Sequence, residues 1–282
     1  MKLAQIRNAA GGVTAAIAAD GGYRLIGGET IASLIAEAEQ QGRDLAELAE
    51  EMAASEAVNG EAIIPVMPAE VWACGCTYAP SAQFRDAEVG TREGMYGYVH
   101  NPKHRPEIFF KGTERHCVGP GEAIGIRSDS KFTAPEPELG VVINSKGKVL
   151  GYTLGNDVSA WDIERENALY LPQSKVYKAC CSLGPVIVTP DEIGDPYKLQ
   201  MTCAIRRGKR TTFEGSVSTS KLRRKVEDLV KFLLRSNPVP SPTVVLTGTG
   251  IIVTEKAALK PGDVVTIEIP QIGKLVNKAA KV

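Results

Sequence analysis

Residues 135–157 read PEPELGVVINSKGKVLGYTLGND, and this stretch decides the fold. Leu139 to Asn144 is apolar, Ser145-Lys146-Gly147-Lys148 is a turn signal, and Val149 to Leu154 is apolar again, which is the pattern of a β-hairpin. Closing that turn makes the numbers of paired residues sum to about 293 and sets Asp157 beside Glu136 at the open end. Side chains alternate along a strand, so Glu136 and Glu138 share one face while Pro137 turns away. Three carboxylates then converge from two adjacent strands, provided the register does not slip. Like charges so close keep one group protonated unless a cation sits between them. An all-oxygen donor set without His or thiolate suits a hard ion, and room left for water and substrate suits Mg²⁺ better than a closed Ca²⁺ cage. On spacing alone, Glu-x-Glu is more often a solvated, edge-protecting feature than a metal site.

Outward from the hairpin, short Val/Ile-rich runs punctuated by Gly, Pro and Asn continue from about Ile63, at Pro185 to Val188 and Asp263 to Ile269. This part is mainly β. One helix interrupts it, with Val226, Leu229, Val230, Leu233 and Leu234 on a single face and Asn237-Pro238 as its stop. The first sixty or so residues differ in texture, being rich in Ala and Glu. Ile31, Leu34, Ile35 and Ala38 recur at helical spacing after Thr30, Leu45, Leu48, Ala49 and Met52 do so after Asp44, and Gly42 lies between. Leu3 to Ala19, with the Gly21-Gly22 break, has the pattern of a hairpin. The expectation is a small α/β domain over residues 1–62, serving packing or oligomer contacts, and a catalytic domain over residues 63–282.

Composition narrows the function class. The 282 residues carry 33 Lys plus Arg against 33 Asp plus Glu, so no global field draws nucleic acid or an anionic membrane. A small-molecule substrate fits better. Six cysteines are too sparse for a disulfide scaffold, and Cys74, Cys76, Cys180 and Cys181 lie in apolar surroundings as reduced core residues. Cys74-Gly75-Cys76 with His100, His104 and His116 lacks the second ligand pair of a zinc site. The Ala/Gly-rich stretch from Ala9 to Ala19 only faintly imitates a secretory signal, and no run is apolar enough to span a bilayer, so the cytoplasm is expected. The basic stretch from Arg206 to Lys225, with Glu214 its single acid, lacks interleaved aromatics for bases and reads as solvated surface.

The chain resembles the fumarylacetoacetate hydrolase family. The resemblance rests on Phe109-Phe110-Lys111, Val118-Gly119-Pro120-Gly121, Glu136-Pro137-Glu138-Leu139, Gly151 to Ser159, Ser182-Leu183-Gly184-Pro185 and Leu246-Thr247-Gly248-Thr249-Gly250, in order across about Trp72 to Val276. It implies an α/β, mainly β fold: a mixed β-sandwich roll with flanking helices behind the small N-terminal domain, in a homodimer or homotetramer. It also implies that Glu136, Glu138 and Asp157 bind Mg²⁺, or Mn²⁺ or Ca²⁺ in its place. Lys175, ten residues before Pro185, matches the family's active-site lysine, and Thr249 matches its contact to the substrate carboxylate. Without the resemblance, Lys175 reads as a surface lysine and Thr249 as part of a turn.

Departures from the family pattern bear on the reaction. The C–C bond hydrolases carry Tyr-x-x-His with a Glu three residues on, a pair that activates water, whereas here Tyr78-Ala79-Pro80-Ser81 is followed by Phe84. Their Ser-Ala-Arg-Asp-Ile-Gln becomes Ser159-Ala160-Trp161-Asp162-Ile163-Glu164, which removes a second hydrolytic component and, through Trp161, implies an altered pocket shape. Trp72 to Arg85, Arg105 to Lys111 and Asn167 to Lys175 instead look like the branch of 2-keto-3-deoxy sugar-acid dehydratases, in which Glu107 matches a catalytic Glu. The resemblance therefore implies a Mg²⁺-dependent lyase that dehydrates a 2-keto-3-deoxy pentonate to a 2-oxoglutarate semialdehyde-type product through an enolate held at the cation. Glu107 serves as acid for the C4 hydroxyl and Lys175 takes the C3 proton or stabilises the enolate, with the reverse assignment open. Arg85 and Thr249 are weaker candidates for the hydroxyl tail and the carboxylate. The alternatives are an acylpyruvate or fumarylacetoacetate-type hydrolase, an isomerase or decarboxylase, and a non-catalytic binding protein.

Overall fold

A computed structural model describes residues 1–7, 11–89 and 94–282. The first residues of the Ala/Gly-rich stretch fall outside these. Among the described residues a twelve-stranded mixed sheet dominates. Its order across is Ala53–Val58, Gly22–Ile26, Val13–Ala19, Lys2–Arg7, Cys181–Val188, Val149–Asp157, Pro137–Ile143, Thr243–Leu246, Glu70–Gly75 and Glu107–Gly112. Two short strands, Glu61–Ala62 and Cys117–Val118, pair off this path with Lys2–Arg7 and Cys181–Val188. A second, five-stranded sheet runs Arg210–Ser218, Gln200–Arg207, Val264–Ile269, Gly273–Lys281 and Ala123–Ile126.

Strand alternation explains the layering. In Pro137–Ile143 the side chains of Leu139, Val141 and Ile143 enter the core shared with Met201, Cys203, Ile205, Val265 and Ile267 of the second sheet. Val142, on the other face, joins Leu150, Ile187 and Val244 in a second core covered by the two N-terminal helices. A strand buried on both faces reads as the continuous apolar run seen in the sequence. Glu136 and Glu138 have the parity of Val142, so the carboxylates open on the helix-covered side.

The N-terminal helices form as their periodicity predicts. Ile31–Gln41 starts at Thr30, whose side chain accepts from the Ser33 N–H, and ends at Gly42 in the left-handed conformation at φ 65°. Leu45–Met52 starts at Asp44, which accepts from the Ala46 N–H. Ile31, Leu34, Leu48 and Ala49 are buried against the large sheet, and each of the larger three contributes about 1.5–3 kcal/mol by leaving water. Lys2–Arg7 pairs with both Val13–Ala19 and Cys181–Val188, so the first strands continue the sheet that carries the carboxylate hairpin. Helix Val226–Leu233 buries Val226, Leu229, Val230 and Leu233 as expected, with Leu234 as its cap.

Two elements depart from expectation. Ala53–Val58, an exposed strand pairing with Gly22–Ile26, follows the second helix where no strand pattern was visible. The basic stretch is not uniformly solvated. Arg224 is only 3 % exposed, and its Nη2 donates to the carbonyls of Val99, Asn101 and His104 at 2.7, 2.7 and 2.8 Å. These carbonyls end the helix Met95–His100 and the turn after it, where a cation is favoured. The six cysteines are free, and all but Cys117 are buried.

Candidate active site

The hairpin register predicted from the turn holds from Pro137↔Asn156 to Val142↔Gly151 and shifts only at Ile143↔Val149, beside the turn. Beyond the ladder the Asp157 N–H donates to the Glu136 carbonyl at 3.0 Å. One carboxylate oxygen from each of Glu136, Glu138 and Asp157 therefore lies within 4.8 Å of the others, and all three residues are buried. Burial removes the solvated-edge reading. The turn after Thr243–Leu246 fixes the middle ligand candidate, because the Gly248 N–H donates to Glu138 Oε2 at 2.6 Å. Gly248 has φ 93°, and a Cβ there would stand 2.1 Å from Thr77 Oγ1, so this approach requires glycine.

Buried cations face the cluster. Lys175, 1 % exposed at the end of the helix Leu171–Lys175, donates from Nζ to Glu136 Oε2 at 2.8 Å, Ser159 Oγ at 2.7 Å and Asp157 Oδ2 at 3.3 Å. Lys111 Nζ lies 2.5 Å from Asp157 Oδ1 and also donates to the Val158 and Lys175 carbonyls. Burial alone would raise Asp157, but Lys111 and Lys175 outweigh it and hold this carboxyl below its ordinary value. Glu138 is pushed well up by burial and by the charges of Asp157 and Glu136. Although burial opposes it, Asp157, Glu136 and Glu164 raise Lys175. The indole N–H of Trp161 donates to Glu136 Oε1 at 2.5 Å, and its ring packs 5.6 Å from that of Phe84.

The donor set fits a divalent cation. Three buried carboxylates share one point, and Glu138 is strongly destabilised as an anion even with Lys175 nearby. The ammonium of Lys175 stands in as a cation between two of the three.

A cavity of about 260 Å³ adjoins the cluster, lined by Met95, Tyr96, Val99, Glu107, Glu164, Ala168 and Leu171. Its carboxyls differ in setting. Glu107 begins the edge strand Glu107–Gly112, and its Oε2 is buried without a hydrogen-bond partner. Gly75 opposite makes its room, since a Cβ there would come 1.9 Å from that oxygen. Burial pushes the Glu107 carboxyl up, against the pull of Arg85. Glu164, 7 % exposed, is ion-paired through Oε1 with Arg85 Nη1, while Oε2 lies 3.5 Å from both Lys175 Nζ and Ser174 Oγ. Against burial, Arg85 and Lys175 hold Glu164 below its ordinary value. A larger cleft of about 540 Å³, between the first helix and the hairpin turn at Asn144 to Lys148, holds none of the predicted site residues.

The structure brings Glu107, Glu136, Glu138, Asp157, Lys175 and Arg85 together. The Arg85 guanidinium is engaged by Glu164 and lies 3.4 Å from Glu136 Oε1. Thr249 is buried, and its hydroxyl is engaged locally by the Ile251 N–H at 3.2 Å. Sequence reasoning missed Lys111 and Glu164 as site residues. Alternation along Glu107–Gly112 puts Glu107, Phe109 and Lys111 on one face, and Phe109 lies 5.3 Å from Lys175 Nζ. Glu164 follows Trp161 by three positions on the helix Trp161–Glu166, so both reach Arg85 from one face. In the sequence it shows only as the loss of a glutamine.

Comparison with known proteins gives three kinds of match. Residues 87–280 match the family model described as fumarylacetoacetate (FAA) hydrolase C-terminal. The chain is 50 % identical over 220 residues to 2-dehydro-3-deoxy-D-arabinonate dehydratase of Saccharolobus solfataricus, spanning 77 % of this chain and 74 % of that protein. It is 44 % identical over 225 residues to a probable 2-keto-3-deoxyxylonate dehydratase of Haloferax volcanii, spanning 80 % and 77 %. Among solved structures, 2-keto-3-deoxy-D-arabinonate dehydratase complexed with magnesium and 2,5-dioxopentanoate matches with a TM-score of 0.84 and 42 % identity, over 100 % of this chain and 99 % of that one.

Proposed function

The chain belongs to the fumarylacetoacetate hydrolase family, and from that premise we propose that it is a Mg²⁺-dependent dehydratase converting a 2-keto-3-deoxy pentonate to 2,5-dioxopentanoate. The observation that carries this reading is the buried carboxylate triad beside a cavity whose charged wall consists of Glu107 and Glu164. A substrate ending in a second carboxylate, as fumarylacetoacetate does, meets two acids there. A substrate ending in hydroxyl groups meets two acceptors. Phe84 and Trp161 pack against each other where the hydrolases of the family place water-activating and oxyanion-holding groups.

Glu136, Glu138 and Asp157 are the residues that would hold the ion. When bound, the dication would neutralise these carboxylates, loosen their hold on the Lys175 proton and polarise a 2-keto acid so that its C3 hydrogens acidify. Lys175, as the neutral amine once its ammonium proton has left to solvent, takes the proton from C3. Glu107, whose carboxyl burial shifts toward the neutral form and whose Oε2 has no hydrogen-bond partner, gives its proton to the departing C4 hydroxyl. Met95, Tyr96, Val99 and Leu171 give the pocket its apolar wall. Thr249 is assigned to the substrate carboxylate and Arg85 to the hydroxyl tail through its pairing with Glu164.

Residues 1–62 supply none of these side chains, and we assign them to packing and subunit contacts in a homodimer or homotetramer, with residues 63–282 as the catalytic domain. No helix among the described residues is long and apolar enough to cross a membrane. A cytoplasmic place in sugar-acid catabolism is part of the same proposal.

Purified protein offered 2-keto-3-deoxy pentonates, acylpyruvates and fumarylacetoacetate, each with Mg²⁺ and with EDTA, tests the reading. Semialdehyde from a pentonate with Mg²⁺ alone is expected. Cleavage of the acylpyruvates with no semialdehyde from any pentonate overturns it.

A further inference from the structure

Loss of the C3 hydrogen and the C4 hydroxyl turns a 2-keto-3-deoxy pentonate into 5-hydroxy-2-oxopent-3-enoate, whose C5 is still an alcohol. Reaching the C5 aldehyde requires one hydrogen to leave C5 and one to leave the C5 oxygen, while C3 and C4 each gain one. The acid and base of the elimination leave this second stage without a base at C5. Resting on the dehydratase reading, we propose that Glu164 is a catalytic residue of this stage, taking the hydrogen from C5 and delivering it to C4.

The geometry supports the assignment. Glu164 lines the same cavity as Glu107. Its Oε2 lies 3.5 Å from Lys175 Nζ, so the group acting at C3 and the group reaching C5 are close enough to serve two carbons of one short chain, which stand about 2.5 Å apart across two C–C bonds. Arg85 on Oε1 and Ser174 near Oε2 aim the carboxylate without closing it off from the cavity. Arg85 and Lys175 also favour its ionised form, as a base requires.

The electrons and protons balance. Glu164 removes the C5 proton, the C5–H pair becomes C4=C5, the former C3=C4 pair becomes C2=C3 and the charge rests on the C2 oxygen. Lys175 returns to C3 the proton it took there, which restores the C2 ketone and leaves an enol at C4=C5. Glu164 then gives its proton to C4. Glu107, left ionised when its proton departed in the water, takes the proton of the C5 oxygen as the aldehyde forms. Each side chain ends in its starting state.

The test uses the Mg²⁺-loaded enzyme and its Glu164→Gln variant on two substrates, the pentonate and the enone supplied directly, followed by ¹H NMR in D₂O. In the variant the pentonate is expected to give accumulating enone, seen by its olefinic protons, with semialdehyde formation down by about 10²–10⁴-fold and C3 exchange retained. The enone, isomerised by wild type, should persist in the variant, and 5,5-dideuterated enone should react more slowly than unlabelled enone in wild type. If Glu164→Gln isomerises the enone at the wild-type rate, the assignment fails. It fails equally if C3 exchange and semialdehyde formation fall by one common factor, which is what a merely structural role gives. Should Glu164→Gln lose its circular dichroism signal, Glu164→Asp is read by the same criteria. A wild type that isomerises the enone yet dehydrates no pentonate overturns the dehydratase reading while leaving Glu164 standing.

Discussion

The two ends of the site both bury carboxylates and settle their charge differently. At the hairpin end, Glu136, Glu138 and Asp157 share a point beside the ammonium groups of Lys111 and Lys175 and the Arg85 guanidinium, and Glu138 still remains strongly disfavoured as an anion. At the cavity end, Glu164 is matched by Arg85, and Glu107 is held toward its neutral form. The first end presents charge that a bound cation would offset; the second pairs its ionised carboxylate within the chain. One residue type is thus suited to ligand, base or acid chemistry according to its neighbours.

The sharpest way to break this contrast is to remove a ligand. Glu138→Ala should abolish Mg²⁺-dependent semialdehyde formation and Mg²⁺ binding by calorimetry, yet melt no lower than wild type in EDTA, because a disfavoured charge has gone. A variant that keeps full activity contradicts the assignment of Glu138 as a ligand.

Glu107→Gln probes the other end. Turnover should fall by about 10²–10⁴-fold with Mg²⁺ affinity unchanged. With Glu107 in the proposed role of acid, wild-type turnover should also decline as pH rises through its raised pKa. The folded group lies above its ordinary 4.5, so its contribution to stability is full below about pH 4.5 and is lost as pH rises through the folded value. Thermal melts at pH 4 and pH 8 should therefore show Glu107→Gln gaining on wild type at the higher pH. Equal gaps at both pH values would place the carboxyl in an unshifted state.

Lys111→Met strips Asp157 of a buried partner and should destabilise the metal-free protein by about 3–5 kcal/mol in urea unfolding. Saturating Mg²⁺ should restore much of that loss, and an identical loss with and without the ion would deny that cation and lysine serve the same carboxylate. The smallest change is expected from Trp161→Phe, which keeps the ring contacts and removes the donor to Glu136. Mg²⁺ affinity should drop by about 10–100-fold in a titration, and an unchanged affinity would make Trp161 a packing residue alone.

Legibility in the sequence followed the range of the governing interaction. The hairpin was readable because turn length sets register and alternation sets face, so Glu136, Glu138 and Asp157 could be juxtaposed from their numbers. The N-terminal helices were readable from period and caps. Lys111 was available by the same alternation from Glu107 and passed unused. Arg224 could not be read, because a charge run has the same local appearance whether it meets water or three carbonyls 120 or more residues away.

By itself the sequence determined the strand pairing that gathers three carboxylates, the reduced cysteines, the family and hence the class of reaction. Tertiary structure decided the distal half of the site. There, the helices Ala79–Val89, Met95–His100, Trp161–Glu166 and Leu171–Lys175 meet over one strand edge, turning Glu164 from a missing glutamine into Arg85's partner and leaving Glu107 Oε2 buried without a hydrogen-bond partner. The physical reason is that register is fixed by neighbours along the chain, whereas protonation and pairing depend on the dielectric and charges brought from distant segments.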